Sequence, residues 1–319
     1  MPPSHPGAAP LGPNPPLNPP ASLGLAWAQL ARIGLAPSAP SNVILGGLIA
    51  SSPALPPLLP LFGLCLASIA LYLGGMVLND WFDRGIDSLE RPGRPIPSGR
   101  VSANAARNAG IFLLVVGIGI AGVVSFSLQC PLAVCYAGMI AVLVIAYNGW
   151  AKSTIWGPVF MGSCRLVNVL LGTAVACALP NTYAILASIS VGCYIAGVTT
   201  MARYEAQIVP VWTVWIGRIA ALIPMGLAIA VVFGLETPAG PWTLLLAMFV
   251  VIAQARILDE LASDPSGPMV PRKIGALLGQ LIRIDTILAS AWVGFAGFSL
   301  LGLWFVALFL RRFKGLYSS

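Results

Sequence analysis

The sequence predicts an all-α polytopic membrane protein with about nine spanning helices. Of its 319 residues, 58% are hydrophobic and 8% are charged, against roughly 25% charged in soluble domains. The apolar residues fall into a series of runs, most of them near the ~20 residues that cross a bilayer. The loops between the runs alternate between carrying Lys and Arg and carrying neither.

The first residues, MPPSHPGAAPLGPNPPLNPP, are rich in proline, which removes backbone donors and blocks helix interiors. Residues 1–20 are therefore expected to be a disordered arm, and residues 21–319 a single transmembrane domain. The arm has neither the basic start nor the apolar stretch of a secretory signal. An amphipathic lead over residues 23–36 carries Arg32. The first span is expected over 41–52, short and flanked by Pro37, Pro40 and Pro53. The second runs from about residue 60 into a charged stretch. Spans three to eight are expected over 105–127, 131–147, 155–179, 183–201, 211–235 and 241–258, and the ninth over 284–310.

The loops near Ser52, Gln129, Asn181 and Thr237 hold no Lys or Arg, whereas the alternate loops hold Arg84 to Arg107, Lys152, Arg203, and Arg272 with Lys273. The positive-inside rule puts these charged loops, and the N-terminus, in the cytoplasm. On nine spans the tail RRFKGLYSS falls outside despite Arg311, Arg312 and Lys314, in conflict with that rule. Clustering in loops accounts for the net charge of +7 better than nucleic-acid binding, which spreads basic residues along one accessible face. The partners expected are membrane lipids, not nucleic acid. None of the six cysteines (Cys65, Cys130, Cys135, Cys164, Cys177, Cys193) forms a CxxC pair, which leaves zinc and redox motifs unsupported and small-residue packing as their role. The only histidine is His5, so a histidine-based metal site or general base is not expected.

One stretch concentrates the charge. NDWFDRGIDSLERPGRPIPSGR, residues 79–100, holds Asp80, Asp83, Asp87 and Glu90 of the ten acidic residues. On a helix the i, i+3, i+7 spacing of Asp80, Asp83 and Asp87 puts them on one face, over about 10 Å at 1.5 Å per residue. Aligned carboxylates repel unless a cation lies between them, and hard oxygens of this kind suit Mg²⁺ with phosphate oxygens and waters. Arg91, Arg94 and Arg100 follow in a Pro-punctuated loop, placed for charged hydrogen bonds to phosphate. Both features also occur at an ordinary solvated helix end. The scarcity of acids elsewhere favours a site, since ionisable residues at membrane depth are functional candidates.

The pattern ND-x-x-D-x-x-x-D with RPGRPIPSG after an apolar helix resembles the first aspartate-rich motif of the UbiA superfamily of membrane prenyltransferases. The resemblance spans roughly residues 30–310. It implies nine transmembrane helices around a central cavity. It also implies transfer of a prenyl group from a prenyl diphosphate to a lipid-soluble or aromatic acceptor. Mg²⁺ would lie between the diphosphate and Asp80, Asp83 and Asp87, the catalytic and metal-holding residues, with Asn79 beside them. YNGWAK resembles the family's Y-x-x-x-K element with one residue more between Tyr147 and Lys152; Lys152 at the mouth would meet diphosphate as a point charge. In GSCRLVNVLLG, Arg165 and Asn168 lie three apart inside an apolar helix, where a buried arginine is costly and should face the cavity.

The family's second aspartate motif, D-x-x-x-D after the sixth helix, is absent. The matching stretch GVTTMARYEAQIVP holds only Glu205, beside Arg203, and no aspartate occurs between Asp87 and Asp259. The first motif together with GSCRLVN and MARYEA resembles the UbiA-like EboC proteins of the ebo clusters. Two readings follow. In the first, the chain is a Mg²⁺-dependent prenyltransferase that binds its donor through Asp80, Asp83, Asp87, Arg91, Arg94 and Lys152, with Arg203 replacing a metal and Tyr147, Trp150 or Tyr204 facing the allylic cation. In the second, it is a non-catalytic relative that binds a prenyl or lipid ligand or assists metabolite export.

Overall fold

The structure is a computed structural model that describes residues 22–205, 207–235 and 237–312; the arm expected over 1–20, with His5, and Lys314 in the tail lie outside the described residues. Helix α1 (Leu23–Leu30) is capped by Ser22, whose Oγ accepts from the Leu25 amide at 3.3 Å. A 3₁₀ turn, Ile33–Leu35, leads into α2 (Ser38–Ser51). α2 begins before the expected residue 41 because Pro40 falls in its first turn, where an amide has no intrahelical partner to lose.

Helix α3 (Leu58–Glu90) has 33 residues, about 50 Å at 1.5 Å per residue. The hydrocarbon core is about 30 Å thick, so the aspartates near its C-terminal end stand at or beyond the membrane edge. The antiparallel series continues through α4 (Ala103–Leu128), α5 (Leu132–Gly149), α6 (Gly157–Thr173), α7 (Thr182–Ala202), α8 (Val211–Leu235) and α9 (Gly240–Ser263). α6 ends short of the expected residue 179, passing into a 3₁₀ turn at Ala174–Ala176. Among the described residues, nine segments are long and apolar enough to cross a membrane.

Two glycines set the packing that matters most for the site. A Cβ on Gly46 of α2 would lie 2.0 Å from the Val169 carbonyl oxygen of α6, and one on Gly172 of α6 would lie 2.0 Å from that of Val43. Only glycine permits this backbone approach, the usual device of helix packing in lipid, where small residues replace the hydrophobic drive. The approach brings Asn42 within hydrogen-bonding range of Asn168 and Arg165, and Ser38 within range of Arg165.

The ninth span differs from the single helix expected over 284–310. The apolar segment Val270–Leu310 comprises α10 (Val270–Leu278), α11 (Leu281–Val293), a 3₁₀ stretch at Gly294–Leu300 and α12 (Leu301–Arg311). Gly294 sits at φ 68°, a left-handed conformation that glycine adopts without a Cβ penalty, and the chain reverses there. A Cβ on Gly297 would come 2.2 Å from the Ser290 amide nitrogen, so the returning stretch lies directly on α11. The Arg283 guanidinium near the start of α11 stands 5.2 Å from the Trp304 ring, and α12 packs against Ile33–Leu35. The segment is thus a helical hairpin, and Arg312 emerges at the end of the bundle that carries Arg32.

Candidate active site

The last turns of α3 present the aspartates in two directions. At 100° per residue, Asp80 and Asp87 are nearly eclipsed and Asp83 is rotated by about 60°. Asp80 and Asp87 both face Arg94, whose Nη1 lies 2.8 Å from Asp87 Oδ2 and 3.5 Å from Asp80 Oδ1. Asp83 instead accepts from Lys152 and, at 3.0 Å, from Asn79 Nδ2, while Lys152 Nζ also donates to Asn79 Oδ1 at 3.1 Å. Asn79, Asp80, Asp87 and Arg94 are buried.

The loop after α3 is fixed from both sides. Its backbone is a chain of turns, with Gly99 at φ 76°, and Val101 packs with Ala26, Leu30, Val77 and Ala106. Arg100 ties it to Gln29 of α1 at 3.1 Å and to the Gly93 carbonyl at 2.7 Å. This anchoring delivers Arg94 to the aspartates and Arg91 to Glu205, 2.8 Å away beyond the end of α7. Glu205 pairs with Arg91 and not with its sequence neighbour Arg203. Arg203 is exposed and makes no ion pair or hydrogen bond among the described residues.

Arg32 is the main mouth residue that the motifs did not single out. Its Nη2 lies 3.5 Å from Asp80 Oδ1. Burial alone would lower its pKa, but Asp80, Tyr72, Glu205 and Asp83 hold it above the ordinary value, so the guanidinium stays charged. Its φ of 45° is left-handed, which is uncommon for a residue with a side chain and clusters at functional sites. The signal in the sequence was a single arginine in an amphipathic lead otherwise without charge.

Beneath the mouth lies a cavity of about 560 Å³, open mouth included, whose lining runs from Met76, Tyr147 and Asn148 down to Arg165, Asn168 and Ser68. Met76 is one turn before Asn79 and Asp80, so the cavity meets the charged cluster at its upper end. Trp150, 58% exposed and packed edge-on against Phe160, and Tyr204, packed against Trp212, are absent from the lining. At the lower end Arg165 donates to the Ser38 carbonyl at 3.2 Å, Ser38 Oγ at 3.1 Å and Asn42 Oδ1 at 3.3 Å. Asn42 in turn donates to both oxygens of Asp285, at 3.0 and 2.8 Å, and Ser41 donates to the same carboxylate. Asn168 donates to the Ala39 carbonyl at 2.8 Å and accepts from Ser68 at 2.7 Å. Asp285 was missed in the sequence; its signal was one carboxylate inside the apolar run LIRIDTILAS.

Among the described residues, no three His, Cys, Asp or Glu side chains stand close enough to hold a metal by themselves. Asp80 Oδ2, Asp83 Oδ1 and Asp87 Oδ1 accept no hydrogen bond among the described residues. Hard oxygens left open in this way match the donor set of Mg²⁺, which takes one or two carboxylates and completes its shell with phosphate and water.

Residues 42–266, more than half of the chain, match the model of the UbiA prenyltransferase family. The chain belongs to that family. The digeranylgeranylglyceryl phosphate synthase of Methanopyrus kandleri is 35% identical over 104 residues, 31% of this chain and 36% of the relative. That of Sulfurisphaera tokodaii is 27% identical over 160 residues, 46% of this chain and 57% of the relative. The chain thus spans from about a third to just over half of these relatives' length. A solved UbiA homolog from Archaeoglobus fulgidus, bound to DMAPP and Mg²⁺, aligns with TM-score 0.61 at 12% identity over 87% of this chain and 99% of that one. A chain solved in work on digeranylgeranylglyceryl phosphate synthase in membranes aligns with TM-score 0.58 at 20% identity over 85% and 97%. At these identities the likeness is one of fold.

Proposed function

We propose that this UbiA-family protein is a prenyltransferase that takes a prenyl diphosphate at the Asp80–Asp83–Asp87 mouth and passes its prenyl group to a lipid-soluble acceptor. The observation that carries this reading is the gathering of Asp80, Asp83, Asp87 and Glu205 with Arg32, Arg91, Arg94 and Lys152 around the end of α3, one turn past Met76, which lines an apolar cavity. An assembly of both signs suits a diphosphate bound with Mg²⁺, because the basic members can meet phosphate oxygens while the carboxylates meet the cation. Arg94 Nε, buried with no partner among the described residues, is a donor that a diphosphate oxygen would satisfy.

Asp80, Asp83 and Asp87 would hold Mg²⁺, which when bound neutralises charge developing on the leaving pyrophosphate. Arg32, Arg94 and Lys152 add fixed positive charge at the same place. The bond between prenyl C1 and the diphosphate oxygen breaks, with its electron pair leaving on pyrophosphate. The acceptor's nucleophile then bonds to C1, and its proton leaves to a carboxylate of the mouth or to water. Tyr147, lining the cavity beneath Asp83, offers a π face to the allylic cation.

Glu205 stands where the family's second motif would lie, and Arg91 occupies it. In this reading Arg203, with no partner among the described residues, takes the part of a second metal by meeting diphosphate directly. The combination of GSCRLVN with MARYEA is our ground for an EboC-like branch, and the positive-inside rule is our ground for a cytoplasmic mouth. The named relatives support geranylgeranyl diphosphate as the first donor to test. The pairing of every mouth carboxylate favours the second reading, a non-catalytic relative that binds a prenyl or lipid ligand or assists metabolite export. Mg²⁺-dependent release of pyrophosphate from geranylgeranyl diphosphate by purified protein, supplied with a membrane lipid extract as acceptor source, separates the two.

A further inference from the structure

We infer that Arg165 is the recognition group of a mid-bundle subsite for a neutral, lipid-soluble molecule carrying a carbonyl oxygen. As an account of the acceptor this rests on the transferase reading; as a binding site it does not.

Arg165 is the ninth residue of α6, which begins at Gly157, so it stands about 12 Å along the helix, well inside the bundle. It lines the cavity. A prenyl chain end placed there would press hydrocarbon against a poorly solvated guanidinium, whose hydrogens would then go unmet at a cost. The lower end of the cavity therefore suits an oxygen.

The hydrogen-bond inventory says which donors remain. Of the five guanidinium hydrogens, two on Nη1 go to the Ser38 carbonyl and Asn42 Oδ1, and one on Nη2 goes to Ser38 Oγ. Nε–H and the second Nη2–H have no partner among the described residues. These two share one edge of the planar group and point the same way, a geometry fitted to a single oxygen acceptor. The other polar groups at this end are occupied: Ser68 by Asn168, and Asn168 by the Ala39 carbonyl.

Charge selects between a carbonyl and a carboxylate. Asn42 links Arg165 to the fully buried carboxylate of Asp285, so the guanidinium is already balanced. An anionic ligand would add an unmatched charge at membrane depth, which is costly; a ketone, ester or quinone-type oxygen adds none. At the upper end of the same lining, Asn148 Oδ1 is buried and has no hydrogen-bond partner among the described residues. The subsite therefore suits a molecule with its carbonyl down on Arg165 and a donor group up toward Asn148.

The test uses the full chain in detergent with 2-undecanone, ¹³C-labelled at the carbonyl, against undecane and decanoate. We expect the ketone to bind at least about tenfold more tightly than undecane, the equivalent of one charge-assisted hydrogen bond. The isotope-edited carbonyl band should shift to lower frequency on binding, and decanoate should bind no better than the ketone. Arg165→Met should abolish both the preference and the shift. Should that variant not fold, Gly75→Leu, which fills the cavity and leaves the Arg165 network in place, should abolish the shift. A ketone bound no better than undecane, an unshifted band, a shift that survives Arg165→Met, or tighter binding of decanoate each overturns the inference. Geranylgeranyl diphosphate binding by the same wild-type preparation reports separately on the transferase reading.

Discussion

Arg91 donates to Glu205 across 2.8 Å, joining the loop after the first aspartate motif to the place of the missing second one. Burial alone would lower the Arg91 pKa, but the hydrogen bond and charge of Glu205, with Asp87 and Glu90, hold it above the ordinary value, so the guanidinium stays charged. Both side chains are about a third exposed, where an ion pair contributes about 0–1 kcal/mol. Glu205→Gln should therefore change the apparent melting temperature little and should leave geranylgeranyl diphosphate affinity unchanged or improved, because Arg91 is released.

Arg203→Ala should behave in the opposite way. With no ion pair or hydrogen bond among the described residues, its loss costs little stability. Removal of a cation that meets diphosphate should weaken geranylgeranyl diphosphate binding by about tenfold or more. Equilibrium binding with and without Mg²⁺ measures this. An Arg203→Ala protein with wild-type affinity and Mg²⁺ dependence would remove Arg203 from the site and favour the non-cleaving reading.

The buried network gives a stability prediction. Asn42 bridges Arg165 and Asp285, so Asn42→Ala leaves buried polar groups unmet. The cost of such a group is about 1–3 kcal/mol. A clear fall in apparent melting temperature is expected, larger than that of Glu205→Gln. Equal melting of the two variants would show that the Arg165–Asp285 link contributes nothing to folding.

The hairpin at Gly294 gives a topological prediction. Single cysteines at Ser88 and Arg312 should be labelled from one side of the membrane, and at Thr237 from the other. Labelling of Arg312→Cys from the Thr237 side would restore a continuous ninth span and refute the reversal.

Most of the fold was legible because hydrophobic run length and loop charge follow directly from the bilayer, and α3 to α9 fall close to the expected runs. The ninth span was not: Gly294 and Gly297 lie inside an apolar stretch where glycine is common, and the reversal shows only in three-dimensional contacts, Gly297 on Ser290 and Trp304 on Arg283. The mouth was legible in Asp80, Asp83, Asp87, Arg94 and Lys152, since their spacing and scarcity are local properties. The pairing of Glu205 joins residues 114 apart, and the Asn42–Asp285 link joins residues 243 apart. Such partners depend on how distant helices and loops pack, which no local pattern encodes. Arg203 and Glu205 lie two residues apart in sequence and both just past the end of α7, yet the turn there carries only Glu205 to Arg91.

The central claim is that the mouth cleaves a prenyl diphosphate with Mg²⁺ on the first motif. The measurement that tests it most directly is pyrophosphate release from geranylgeranyl diphosphate by purified wild-type protein and by Asp83→Ala, with a membrane lipid extract, in Mg²⁺ and in EDTA. The account predicts release by the wild type in Mg²⁺ only, and none by a correctly folded Asp83→Ala protein. Release that persists in EDTA or in Asp83→Ala would contradict it, as would wild-type protein that binds the diphosphate and leaves it whole.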